Sequence, residues 1–271
     1  YATEIQTPEF GCRLEGVLQS RKNDLSGIIN GIDYSIWNPD TDPRIAATYN
    51  EDTFVHGKPK CKAALQLEQR LPVRPEVPVF GMITRLDDQK GLDLVAKVAE
   101  EFLCGDVQLV VLGTGHAKYH DLLTDLSQRF TGKVGLNLRF DDGLAHRIFA
   151  GVDLFLMPSR YEPCGLNQLI SLKYGTVPLV RATGGLADTI VDCTPESLAA
   201  GTATGFSFEP YTTEALLDCT QRALQLWPLC DSWRGLMHNA MKQDWSWTRS
   251  AAEYVKLYER IRDKRRATVS V

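Results

Sequence analysis

The sequence predicts an α/β fold in which a Rossmann-like parallel sheet is flanked by helices, and three observations carry this expectation. From Pro78 onward, short runs rich in Val, Leu and Phe alternate with stretches whose apolar residues recur three and four apart. Alternation of that kind calls for parallel strands joined by right-handed helical crossovers. The chain has 271 residues, 44% hydrophobic and 24% charged, which suffices to bury a core, and it has no apolar run long enough to cross a bilayer. Finally, polar turns follow the apolar runs at Thr84-Arg85, Gly113-Thr114-Gly115, Pro158-Ser159 and Ala182-Thr183. In open parallel sheets ligands bind beyond the carboxyl ends of the strands, where these turns fall.

Residues 1–77 are punctuated by Pro and Gly, with turn signals at Asn30-Gly31 and Asn38-Pro39 and only short apolar runs, and they read as a linker with edge elements. Strands are expected over 79–83, 107–112, 136–140, 152–157, 177–180 and 206–208, and helices over 92–102, 119–130, 144–149, 166–174 and 215–227. Residues 78–240 thus form the ligand-binding sheet domain. Two helical segments follow Trp227-Pro228. The last, within 241–271, puts Ala251, Tyr254, Val255, Tyr258 and Ile261 on one stripe. That stripe needs a surface to pack on: the sheet domain, or a domain absent from this chain to which the helix returns.

A formal net charge of −4 gives little support for a nucleic-acid partner, and the cations at 260, 262 and 264–266 suit the end of a solvated helix. Seven scattered cysteines form neither a CxxC pair nor a metal spacing with the five histidines, which fits free thiols in a reducing compartment and no metal. No signal-peptide pattern opens the chain, and its start at Tyr1, in a loop-like stretch, reads as a fragment of something longer.

Arg85 and Lys90 flank a tight turn that leads into a helix. Helix starts carry partial positive charge, so two cations there are costly unless an anion sits between them, and phosphate fits. Equally open is a pairing of Arg85 with Asp87 or Asp88, with Lys90 extended into solvent. In Pro158-Ser-Arg-Tyr-Glu-Pro-Cys-Gly-Leu-Asn the carboxylate of Glu162 falls on the ligand side of a strand-to-helix junction, either facing a ligand or matching the helix dipole. Gly165 lets the backbone approach a ligand, and the N–H groups of Leu166 and Asn167 would point at an anion. Thr183-Gly184-Gly185 repeats the arrangement, or is a bare turn. Cys164 lacks a sequence-near histidine to activate it, and Phe140, ending a strand beside the cleft, either packs or stacks on a base. Their convergence on one sheet edge favours a sugar-nucleotide site.

Ordered matches along nearly the whole chain then carry a resemblance: Leu25-Ser-Gly-Ile-Ile-Asn-Gly-Ile-Asp, Trp37-Asn-Pro, Arg85-Leu with Gln89-Lys-Gly-Leu-Asp-Leu, His146-Arg-Ile, Pro158-Ser-Arg-Tyr-Glu-Pro-Cys-Gly-Leu, Leu172-Lys-Tyr-Gly-Thr, Thr183-Gly-Gly-Leu-Ala-Asp-Thr and Trp245-Ser-Trp. The chain resembles the carboxyl-terminal half of bacterial glycogen synthases and plant starch synthases. The resemblance implies the carboxyl-terminal domain of a two-domain GT-B glycosyltransferase that moves glucose from ADP-glucose to an α-1,4-glucan with retention and without a cofactor, the alternatives being another nucleotide-sugar transferase with a UDP-glucose donor or a non-catalytic nucleotide-binding module. It makes 1–77 an interdomain linker and 241–271 a crossover helix. Arg85 and Lys90 would hold the donor diphosphate, with Glu162 beside the glucose. Cys164, Gly165, Leu166, Asn167, Thr183, Gly184 and Gly185 would line the nucleotide-sugar pocket, and Phe140 would stack on adenine. Asn167 stands where Thr is frequent and Phe140 where Tyr is common. The family's Lys-x-Gly-Gly-Leu segment, which belongs to the amino-terminal domain, does not occur here, so the missing domain is an expected partner. A cytoplasmic setting is implied, or a plastid if the source is a plant or alga.

Overall fold

The computed structural model describes residues 1–269, with side chains through Arg266. Its helices are α1 (Glu15–Ser20), α2 (Phe54–Glu68), α3 (Leu92–Cys104), α4 (Ala117–Arg129), α5 (Asp142–Gly151), α6 (Asn167–Lys173), α7 (Gly184–Thr189), α8 (Pro195–Ala199), α9 (Thr213–Leu226), α10 (Cys230–Met241) and α11 (Trp247–Val269). The strands are β1 (Val79–Ile83), β2 (Gln108–Leu112), β3 (Val134–Asn137), β4 (Leu154–Met157), β5 (Val177–Arg181) and β6 (Phe206–Phe208). Two compact units result, one of residues 36–243 and one of residues 1–35 with 244–271.

The larger unit holds a six-stranded sheet in the order β3-β2-β1-β4-β5-β6, every neighbouring pair parallel. Its strands are buried on both faces, as the near-continuous apolar runs require. The order reverses between β1 and β4, which places the topological switch point there.

Phe54–Glu68 lies inside the stretch expected as linker and edge elements, yet it is a fifteen-residue helix packed against α5. Its pattern is obscured because polar side chains point inward. Lys58 is buried and donates to the carbonyls of Phe149, Ala150 and Val152 (3.4, 3.1 and 2.9 Å) and to Thr176 Oγ1 (2.6 Å). Lys62 pairs with Asp153 at 2.7 Å, and Gln66 donates to Gln108 Oε1 at 2.7 Å. These groups sit at the amino ends of β1, β2, β4 and β5, where each satisfies a buried polar partner.

A second polar cluster lies in the core of the same unit. Asp42 Oδ2 is 2.6 Å from His146 Nδ1 and accepts from the Tyr174 hydroxyl at 2.5 Å, Tyr49 donates to the Tyr174 carbonyl at 2.8 Å, and Trp37 stacks on His146 with centroids 3.9 Å apart. Burial, reinforced at Tyr174 by the hydrogen bond to Asp42, raises the pKa of both tyrosines above the ordinary value of about 10. Above pH ~10 the unfolded chain therefore releases phenolic protons that the folded chain retains, so stability falls as pH rises, by about 1.4 kcal/mol per pH unit for each tyrosine. Urea unfolding midpoints should be lower at pH 11 than at pH 8, with part of the drop absent in Tyr49→Phe; equal midpoints would contradict this assignment.

In the smaller unit the Ile32 N–H donates to the Trp245 carbonyl (2.8 Å), Ser250 Oγ donates to the Ile29 carbonyl (2.7 Å), and Lys264 pairs with Asp24 at 2.6 Å. Tyr254, Val255, Tyr258 and Ile261, the stripe read from the sequence, are exposed on α11. Residues 270–271 of the expected crossover helix lie outside the described residues. Among the described residues no helix is long and apolar enough to cross a membrane, and no group of His, Cys, Asp and Glu could hold a metal ion.

Candidate functional site

Two loops meet at the switch point. After β1, the Asp87 side chain accepts from the Lys90 N–H (3.2 Å) and caps the 3-10 turn Asp88–Lys90, after which Gly91 takes φ +76° and starts α3. A Cβ on Gly91 would stand 2.0 Å from the Pro158 carbonyl oxygen, so glycine is required both by the left-handed backbone and by the close approach of the loop after β4. That loop carries Glu162 and is itself pinned from the next turn, because the Gly185 N–H donates to the Glu162 carbonyl at 3.0 Å. Gly185 lies so close beneath it that a Cβ would meet the Cys164 carbonyl oxygen at 2.0 Å.

These constraints bring Lys90 Nζ to 2.6 Å from Glu162 Oε2, with the lysine side chain 22% and the glutamate side chain 9% exposed. Ser159 Oγ donates to the same carboxylate oxygen at 3.2 Å. Both readings left open at Arg85 and Lys90 are thereby refined. Arg85 does pair with Asp87, through Nε at 2.5 Å, and also donates from Nη2 to Gln89 Oε1 at 2.9 Å. Lys90 does not extend into solvent but stands on Glu162. The Arg85 side chain is 65% exposed, so the guanidinium donors not used by Asp87 and Gln89 are accessible from solvent.

The remaining sequence-derived residues spread along the same edge. Gly165 has φ +69°, Leu166 is half exposed, and Asn167 opens α6 with its Nδ2 donating to the Ile83 carbonyl at 2.7 Å, so this amide ties α6 to the end of β1. Cys164 is in no disulfide, and its carbonyl accepts from Gln168 Nε2 at 2.9 Å. Thr183 is buried as the N-cap residue of α7, and Gly184 and Gly185 form that helix's first turn rather than a bare loop. Phe140 does not end a strand: β3 stops at Asn137, and Asp141 turns the chain away by accepting the Leu144 N–H at 2.8 Å to cap α5. Its ring is 88% exposed on the loop after β3.

The sequence reading missed the scaffold behind the loops. Arg160 Nη2 binds Asp93 Oδ2 at 3.0 Å, the Tyr211 hydroxyl donates to Asp93 Oδ1 at 2.5 Å, and the Arg160 guanidinium lies 4.7 Å from the Tyr211 ring centroid. Arg181 Nη1 donates to the Arg160 carbonyl at 2.5 Å. No periodicity links residues 93, 160, 181 and 211; only their positions at or beyond the carboxyl ends of the neighbouring strands β1, β4, β5 and β6 could have suggested a cluster.

Two cations and a carboxylate at the switch point of a parallel sheet define a class of protein, a Rossmann-like domain whose charged side chains gather at the crevice where such sheets bind ligands. Residues 66–235 match the model of the family "Glycosyl transferases group 1", and the chain belongs to that family. It is 52% identical over 261 residues to a glycogen synthase of Anaeromyxobacter dehalogenans, covering 96% of this chain and 54% of the relative. It is 49% identical over 265 residues to a glycogen synthase of Desulforudis audaxviator, covering 97% and 52%. Among solved structures, the catalytic domain of Starch Synthase IV from Arabidopsis thaliana bound to ADP and acarbose superposes with a TM-score of 0.90 at 35% identity, over 96% of this chain and 54% of that one. The chain thus spans about half the length of the curated relatives it matches.

Proposed function

We propose that this chain is the donor-binding half of a glucan synthase that transfers glucose from ADP-glucose to the non-reducing end of an α-1,4-glucan with retention of configuration. The observation that carries the reading is the Lys90–Glu162 contact at the switch point, with Arg85 on the same loop as Lys90. The ADP named with the similar starch synthase structure supports the choice of nucleotide. Arg85 and Lys90 bind the diphosphate and stabilise the charge that develops on it as the glycosidic bond breaks. Each hydrogen bond to a charged group contributes about 1.5–3 kcal/mol. Glu162, held by Lys90 and Ser159, faces the sugar as a hydrogen-bond acceptor and is not a covalent nucleophile; the departing phosphate deprotonates the acceptor hydroxyl on the same face. Gly165, Leu166, Asn167 and the start of α7 line the pocket, Cys164 contributes backbone, and Phe140 stacks on adenine. The acceptor glucan and the second wall of the cleft belong to an amino-terminal domain of the kind that makes up the rest of the relatives' length. The bacterial relatives favour a cytoplasmic setting for the reaction.

The chain by itself should bind ADP with a dissociation constant on the order of 0.1–1 mM and UDP less well, and should not extend glycogen. Calorimetry with both nucleotides and incorporation of labelled glucose check this. Robust elongation by the 271-residue chain would refute the half-cleft reading, and preference for UDP would refute the donor assignment.

A further inference from the structure

Gln89 lies one residue before Lys90 and touches both loops of the site. Its Oε1 accepts from Arg85 Nη2 at 2.9 Å, its Nε2 donates to the Tyr161 carbonyl at 3.3 Å, and its own carbonyl accepts from the Arg160 N–H at 2.8 Å. The partners fix which way the amide points, since a guanidinium offers only donors and a carbonyl only lone pairs. Asn is one methylene shorter, Glu has no N–H for Tyr161, and Lys has no acceptor for Arg85.

We infer that Gln89 is a positioning residue of the donor site: anchored on the loop bearing Glu162, it aims the Arg85 guanidinium. The inference rests on the reading of Arg85 and Lys90 as the diphosphate clamp. Without Gln89, Arg85 keeps its pairing with Asp87 and, being 65% exposed, regains rotamers that it must surrender again when a ligand binds. The loop after β4 keeps its other supports, because Arg160 remains bound to Asp93 and stacked on Tyr211, and Gly185 still donates to the Glu162 carbonyl. Losing the amide should therefore loosen the cation without unfolding the loop.

A double-mutant cycle on the 271-residue chain, read by NMR titration with ADP, tests this. Gln89→Ala should weaken ADP binding about tenfold, the size expected for restoring freedom to one long side chain. In an Arg85→Ala background the same change should have less than a twofold effect, and the thermal midpoint should move by no more than a degree or so. Independently of affinity, the Arg85 Nε–Hε 1H–15N NOE should fall in Gln89→Ala. An equal drop in both backgrounds, an unchanged affinity in the single variant, or an unchanged NOE would each overturn the positioning role. If Arg85→Ala itself leaves ADP binding intact, the clamp reading fails rather than the part assigned to Gln89.

Discussion

On the function proposed above, turnover of a protein that joins this chain to the proposed amino-terminal domain should fall about 100-fold or more when Arg85 or Lys90 is replaced by Ala, measured as kcat at saturating ADP-glucose and glycogen. The magnitude follows from where the charge goes. Breaking the glycosidic bond leaves the diphosphate more negative than it was in the donor, and a cation already in place needs no reorganisation to meet that charge. The two variants should differ in stability. Arg85 is 65% exposed and its removal strands no buried group, so its unfolding midpoint should match that of the parent. Lys90 covers a carboxylate that is only 9% exposed, and Lys90→Ala leaves Glu162 with the Ser159 hydroxyl in place of an ion pair. A loss of about 1–3 kcal/mol in urea unfolding is expected there, on top of the kinetic defect. Unchanged kinetics in both variants would sink the clamp.

The second large effect lies at the opposite end of the sheet and concerns folding alone. Lys58→Ala should destabilise the chain by about 3–5 kcal/mol in urea unfolding, because it removes the buried ammonium that serves the Phe149, Ala150 and Val152 carbonyls and leaves the single Thr176 hydroxyl proton to be shared between Phe149 (2.5 Å) and Val152 (3.0 Å). Burial pulls the Lys58 ammonium down to about 8, with Asp153 offsetting part of that pull, so it is still charged at neutral pH and can serve those acceptors while opposing the negative end of the α5 dipole. Lys58→Met, which keeps the stem's volume, should recover less than half of the loss, since a thioether supplies none of the ammonium's hydrogen bonds. A loss below 1 kcal/mol in the Ala variant would show that water replaces the ammonium without cost.

What the sequence made legible was whatever is encoded locally. The runs at 79–83 and 206–208 have the strand bounds observed, and the turns after them could be placed at the ligand edge because a parallel sheet aligns all its carboxyl ends. Strand order was not legible: nothing in β1 or β4 announces that they pair, yet that pairing is what brings Lys90 to Glu162. Helix α2 was hidden by its own chemistry, since Lys58, Lys62 and Gln66 occupy positions where the periodicity argument looks for apolar residues, and Pro59 sits within it. The strand expected to reach Phe140 ends three residues earlier because the capping tendency of Asp141 outweighs the β-propensity of the aromatic. For Arg85 the two sequence readings were not exclusive: an arginine that pairs with Asp87 can still present its other donors to a ligand.

The polar groups that hold the sheet gather before its strands, at Lys58, Lys62–Asp153 and Gln66–Gln108, while those proposed to act on a donor follow the strands, at 84–91, 138–141, 158–167 and 183–185. Substitutions at one end therefore have little direct purchase on the other. A lineage can drift in the proposed donor preference by rewriting exposed members of the second group such as Arg85 while the melting temperature stays where the first group sets it, so long as the Lys90–Glu162 pair is kept or exchanged together.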